Sequence, residues 1–296
     1  MNNPLLIALL GGLGGMIGWG SADFFAKKTI DRIGPIRSLV WAHIFGTAIL
    51  LAAFLAQLVT GHGGGAFPTS LSAWAGVAFF GVLQMIVYWL VYQAFEKGQV
   101  SVLNPVFASY SGLVALFAFI LFHQHAGKFA GLALVVIFAG NLLLNMDFSA
   151  AKSKRFNIIP GLAEIGLATV LAAFWTLGWD KYVNGRDALT SALCMYAFMT
   201  VAAIALAYFM KTKNLTKQLT DKKFLFLMGL GEAVAYLAIS WGYSKTSLTG
   251  IVALISGAFS VPTVVLAYFF LKERLTKLQW ASVAIIIAGV VLISLT

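Results

Sequence analysis

Gly81-Val-Leu-Gln84-Met-Ile-Val-Tyr88 and Gly229-Leu-Gly-Glu232-Ala-Val-Ala-Tyr236 are one eight-residue stretch met twice. The shift that lays residue 81 on residue 229 also lays Lys97 on Lys245 and His125 on Glu273. After one inserted residue, Lys128 falls on Lys277 and Ala139-Gly140 on Ala288-Gly289. Further upstream, Trp19 matches Trp175 and Asp23 falls near Asp180. A chain that repeats itself over half its length consists of two copies of one structural unit. What the unit is made of follows from the segments around these stretches.

Those segments are apolar. Of 296 residues, 60% are hydrophobic and 10% charged, against about 25% charged in a soluble domain. Thirty ionisable side chains cannot cover the aqueous surface of such a chain, which excludes a soluble two-domain enzyme, a disordered protein and a disulfide-rich secreted scaffold. A helix needs about 20 apolar residues to cross the hydrocarbon layer. Ten runs qualify: 5–26, 34–59, 71–95, 100–122, 129–146, 158–180, 188–210, 224–243, 248–271 and 278–295. The first has no Lys or Arg ahead of it and is too long for the core of a secretory signal, so it reads as a retained helix. No connection exceeds about fifteen residues, which leaves no room for a soluble domain. The expected fold is all-α: a polytopic membrane protein of ten transmembrane helices in two inverted five-helix repeats. The first repeat covers 1–147, a basic linker 148–157 and the second repeat 158–296. With an odd number of spans per repeat, the second copy enters the membrane from the opposite side. The halves are then related by a pseudo-two-fold axis in the membrane plane, the arrangement of many secondary transporters.

The formal net charge of +10 would suggest nucleic acid on a soluble chain. Here 16 of the 20 basic residues fall in the connections after spans one, three, five, seven and nine. Only Lys128, Lys181, Arg186 and Lys245 lie on the other side. By the positive-inside rule the basic face is cytoplasmic and both termini lie outside, in the cytoplasmic (inner or plasma) membrane. The charge therefore indicates orientation and no nucleic-acid partner. The lone Cys194 lies inside an apolar run and reads as an inert buried thiol.

Phe269-Phe-Leu-Lys-Glu273-Arg-Leu-Thr276, Gln279, Ala288-Gly289-Val290 and Gly18-Trp19-Gly20 resemble motifs of the drug/metabolite transporter superfamily, EamA type. The resemblance covers the whole chain. It implies a ten-helix carrier of small metabolites, with Trp175 as counterpart of Trp19, and does not identify the solute. Two departures stand out: Lys272 replaces the usual glycine before Glu273, and His125 stands where the first half would carry an acid. Pro105 and Pro262 do not fall at equivalent repeat positions.

Ionisable residues inside a span are expensive, about 2.5–3.5 kcal/mol each at the helix centre. Three acids qualify. Glu232 is at mid-span, and its repeat mate is the neutral Gln84. Tyr88 and Tyr236 lie one turn beyond on the same faces, so the four residues are expected to line a cavity from both halves. A carboxyl there suits proton coupling or recognition of a cationic group. Asp23 shares a face with Trp19 and either contacts solute or pairs with Lys27. Glu164, about 9 Å into the sixth span, is expected in a water-reached vestibule. Asp180 is expected at a connection, paired with Lys181. Asn104, before Pro105, marks a local break in span four, and Tyr92, Tyr110, Trp175 and Trp241 form a candidate stacking surface. His43 has no second His or acid at ligand spacing and reads as structural. The glycines of the first span read as packing sites for another helix.

The expected function is secondary active transport of a small organic solute by alternating access, possibly coupled to protons through Glu232. The partners are the solute and the lipid bilayer, with the chain a monomer or homodimer. No cofactor is expected: paired metal-binding acids are missing, and there is no phosphate-binding loop. An integral membrane enzyme or scaffold acting on lipid-type substrates is the alternative.

Overall fold

The computed structural model describes residues 3–60, 65–97, 103, 106–122, 130–145, 160–212, 215, 222–272 and 275–294. Among them are eleven helices and no strand: α1 (Pro4–Ile33), α2 (Pro35–Val59), α3 (Leu71–Lys97), α4 (Tyr110–Phe122), α5 (Ala130–Asn145), α6 (Leu162–Val183), α7 (Ala188–Phe209), α8 (Lys222–Lys245), α9 (Thr249–Ser256), α10 (Ser260–Leu271) and α11 (Lys277–Ser294). The first eight correspond to spans one to eight, α9 and α10 together to span nine, and α11 to span ten. Seven stretches are long and apolar enough to cross a membrane, and three shorter apolar helices accompany them. Large apolar side chains such as Leu51, Leu55, Val135, Phe174, Val201 and Phe269 point outward. Many polar ones, Glu232 and His43 among them, are buried. That inversion suits a lipid solvent, in which polar groups must be satisfied within the protein.

Local chemistry sets the helix ends. The Asn3 side chain accepts from the backbone N–H groups of Leu5 and Leu6, and Pro4 takes the first helical position, a favourable start on both counts. α1 continues past Lys27-Lys28, where a break was expected, to Gly34, whose φ of 82° stops it before Pro35 opens α2. α10 ends on Lys272, at φ 55°. This left-handed position favours glycine and strains a lysine, which gives the departure from the family's usual glycine a backbone cost. Span nine, expected as one helix, is interrupted between Ser256 and Ser260. There Ala258 N–H bonds Ile255 and Val261 N–H bonds Ala258, three residues back in each case. Pro262 has no N–H to continue the ladder, and proline is a recurrent cause of such kinks.

The repeat noticed in the sequence is visible in the packing. Gly81 of α3 lies where a Cβ would strike Met195 O of α7, and its mate Gly229 of α8 lies where one would strike Ala42 O of α2. Gly140 of α5 faces Ile286 of α11, while Gly289 of α11 faces Ile137 of α5. Each contact is the other with the halves exchanged. The chain is two inverted repeats whose first, second, third and fifth helices match α6, α7, α8 and α11. The glycines of α1 do pack a helix: Gly11, Gly14 and Gly18 lie against Gly242, Ala238 and Gly231 of α8, and Gly12 lies against Ile255 of α9.

Candidate functional site

α8 reaches the centre of the bundle because its glycines let neighbouring backbones in. A Cβ on Gly231 would meet Gly18 O at 2.7 Å, and one on Gly229 would meet Ala42 O at 2.4 Å. Glu232 and Tyr236, one turn apart, are thereby set against α1, α2, α3 and α7. The Tyr236 hydroxyl accepts from Gln84 Nε2 at 2.9 Å and donates to the Tyr88 hydroxyl at 3.4 Å. Tyr88 and Tyr236 are repeat mates, so their contact marks the pseudo-two-fold axis. A second contact of this kind lies between α2 and α7, where the Thr47 and Thr200 hydroxyls are 2.7 Å apart. His43 and Tyr196, one turn earlier on the same two helices, stack with centroids 5.0 Å apart and planes at 15°. Gly46 gives Tyr196 room, since a Cβ there would meet its ring.

Glu232, 2% exposed, faces the polar edges of the stacked His43 and Tyr196 rings. The Tyr196 hydroxyl donates to its Oε2 at 2.5 Å, and His43 Nε2 is 3.6 Å from the same oxygen. Leu39 O lies 2.9 Å from His43 Nδ1. His43, expected as a structural residue, and Tyr196, which carries no local motif, meet Glu232 only through helix packing. A signal was present: His43 and Thr47 on one helix, Tyr196 and Thr200 on its mate, form two polar i, i+4 stripes in one register.

Around this centre stands an aromatic wall. Trp19 is edge-on to Tyr236 at 5.5 Å and to Phe259 at 6.4 Å. Tyr92 lies 6.4 Å from Tyr88, and Trp175 5.9 Å from Tyr236. The Trp19 indole N–H is buried with no hydrogen-bond partner among the described residues. Asp23, one turn from Trp19, is exposed. It lies within electrostatic reach of Glu232, Tyr92 and Tyr110, and no described basic side chain is within ion-pair distance of it. Trp175, Trp179 and Tyr182 continue the wall as a stack along α6, with centroids 5.9 and 5.3 Å apart. The stack is anchored by bonds from Trp175 to Phe80 O, Trp179 to Ser240 and Tyr182 to Ala73 O. Beyond it, where α2 and α6 end, a cavity of about 620 Å³ is lined by Phe67, Ser70, Tyr182, Arg186 and Thr190 from both halves.

Other expected site residues lie elsewhere. Glu164 is in the first turn of α6, paired with Lys97 at 2.6 Å, because the helix starts at Leu162 and not at 158. Trp241 makes no ring contact with this cluster among the described residues. Nine positions beyond Glu232, at 100° per residue, it points to the opposite side of α8. Asp180 is buried and hydrogen-bonded to Thr249, with Lys181 at 3.9 Å, so it ties α6 to α9 and is not a surface residue. Cys194 is buried. Asn104, Pro105, His125 and Glu273 lie outside the described residues. No group of three or more His, Cys, Asp or Glu able to hold a metal occurs among the described residues.

A family model described as the EamA-like transporter family matches residues 6–146 and 160–295. A chain of known crystal structure, 15% identical, superposes with a TM-score of 0.74 over 97% of this chain and 96% of its own. At that identity the likeness speaks for the fold alone. No curated protein matches the chain.

Proposed function

Because the chain belongs to the EamA-like transporter family, and so is an integral membrane transporter of the drug/metabolite superfamily, we propose that it is a secondary carrier of a small organic solute. The two inverted repeats alternate access to a site on their axis. Trp19, Gln84, Tyr88, Tyr92, Tyr110, Trp175 and Tyr236 form the walls of the solute site. Glu232 is the coupling proton site, and Asp23 is the acid at its open edge. One observation carries the reading: a buried carboxyl, close to the contact of the mates Tyr88 and Tyr236, is faced by His43 of the first half and bonded by Tyr196 of the second. An uncompensated carboxylate is costly in such a place, so a proton or a cationic group on the solute would neutralise it. A wall of tyrosine and tryptophan faces suits a flat or cationic solute.

Glu232→Gln is expected to abolish uptake driven by an imposed pH gradient in proteoliposomes, while the protein still folds and inserts. Unchanged gradient-driven flux would remove the coupling role. A ligand-induced thermal-shift screen across amino acids, nucleobases, sugars and amphipathic amines identifies the solute class. We orient the carrier with its basic connections in the cytoplasm. A C-terminal reporter active only outside the cytoplasm should then be on, and a cytoplasmic signal overturns that orientation.

A further inference from the structure

The contacts of His43 restrict how many protons the centre can hold. Leu39 O is a carbonyl and only accepts, so the 2.9 Å bond puts a hydrogen on Nδ1 in either charge state of the ring. The state of Nε2 is thereby the variable one. Nε2 is fully buried, faces Glu232 Oε2 at 3.6 Å and has no hydrogen-bond partner among the described residues. Oε2 already accepts from Tyr196.

Three proton counts follow. With none between them, an imidazole lone pair faces a carboxylate, and a buried negative charge is left with one tyrosine hydroxyl. With two, an imidazolium faces a neutral carboxylic acid, and a buried positive charge is unpaired. With one, an imidazolium–carboxylate pair at ion-pair distance, or a carboxylic acid facing a neutral ring, is neutral overall, and no buried charge is left uncompensated. Unpaired buried charge is the costly case.

The remaining groups at the centre do not supply an alternative cation. α1 brings Asp23, within electrostatic reach. α3 brings Gln84, Tyr88 (its ring 5.9 Å from that of His43) and Tyr92, α7 brings Tyr196, and α8 brings Tyr236. None of these is basic, and His43 is the only described side chain within ion-pair distance of Glu232.

We propose that His43 and Glu232 form a single proton-binding unit, holding one proton between Nε2 and Oε2 with His43 locked in place through Leu39. This deepens the coupling role given above to Glu232 by naming its partner. Loss of the proton leaves one net negative charge at the centre of the bundle, and uptake restores neutrality. His43 acts as a positioning and proton-sharing residue and is not required to touch the solute.

The test needs no solute. Solute-free protein in nanodiscs is titrated with acid and base. Ring-labelled histidine NMR follows His43, identified by loss of its signal in H43Q. Infrared difference spectra follow the Glu232 carboxyl, identified by its loss in E232Q. In wild type the two signals are expected to change with one common midpoint. E232Q should displace the imidazole midpoint, and H43Q the carboxyl midpoint, by more than about 1 pH unit, as for a coupled pair. Separate midpoints, each unmoved by substitution of the other residue, overturn the unit. Should a variant fail to fold, the wild-type spectra still decide between one midpoint and two. Flux and titration fail independently. Lost gradient-driven uptake in E232Q with uncoupled titrations keeps the carrier reading and removes the pair; the reverse outcome keeps the pair and removes the coupling.

Discussion

The contact of α1 with α8 and the contact of α6 with α3 are the same helix pair made once in each arrangement of the halves, but from opposite materials. Between α1 and α8, glycine meets backbone: a Cβ on Gly18 would stand 2.6 Å from Gly231 O, and one on Gly11 would stand 2.9 Å from Gly242 Cα. Between α6 and α3, backbone meets glycine only at the capping Gly161, against Ala94 O, and the glycines within the helices meet rings. A Cβ on Gly178 would reach the Phe80 ring at 2.6 Å, and one on Gly76 would reach the Tyr182 ring at 2.9 Å. Backbone against backbone permits one spacing only. A ring can turn about its side-chain torsions and let the helices part. The aromatic contact also borders the 620 Å³ cavity, so the adjustable contact lies on the side that already has open space. Duplication preserved the architecture while the two contacts diverged in stiffness.

That difference can be broken in three places. Gly18→Val places bulk against immovable backbone and is expected to cost about 3 kcal/mol or more, at or above the top of the overpacking range. Size-exclusion profiles in detergent should show little folded protein, and a normal profile would remove the claim of a rigid contact. Trp175→Phe keeps a ring against Tyr236 but withdraws the indole N–H from Phe80 O. The Phe80 carbonyl keeps its place in the ladder of α3, so the loss is one net hydrogen bond at a 2% exposed tryptophan site and should cost about 0.5–1.5 kcal/mol in thermal unfolding. Gly178→Ala meets only the far edge of the Phe80 ring, and a loss of about 1 kcal/mol or less is expected, as at the low end of that range. If Gly18→Ala and Gly178→Ala proved equally costly, the contrast between the contacts would be lost.

The sequence made the architecture legible because the signals behind it are local: apolar length sets a span, and an eight-residue stretch seen twice sets the repeat. Residues on one helix face were equally legible, which is why Gln84, Tyr88, Glu232 and Tyr236 emerged together; Gln84, Tyr88 and Tyr236 meet, while Glu232 turns to Tyr196 and His43. His43 and Tyr196 did not emerge, since their approach to Glu232 depends on how α2 and α7 cross α8, and no spacing along the chain encodes that crossing. Glu164 stands in the first turn of α6, part-exposed and paired with Lys97, four residues nearer the helix start than the apolar run suggests. Trp241 stands on the side of α8 opposite Glu232, which depth along the span does not reveal.

The hydroxyl contacts Tyr88–Tyr236 and Thr47–Thr200 join residues to their own repeat mates. Exchanging the conformations of the two halves turns any other contact into a different one, but it turns a contact between mates into itself. In a motion of that kind these bonds need not break at either end of the cycle. Under the proposed alternation they would form the fulcrum of a balance: the arms tilt, while the bearing keeps its load throughout. Substitutions at such a bearing would act on the height of the barrier between the two tilts and leave their relative populations nearly unchanged.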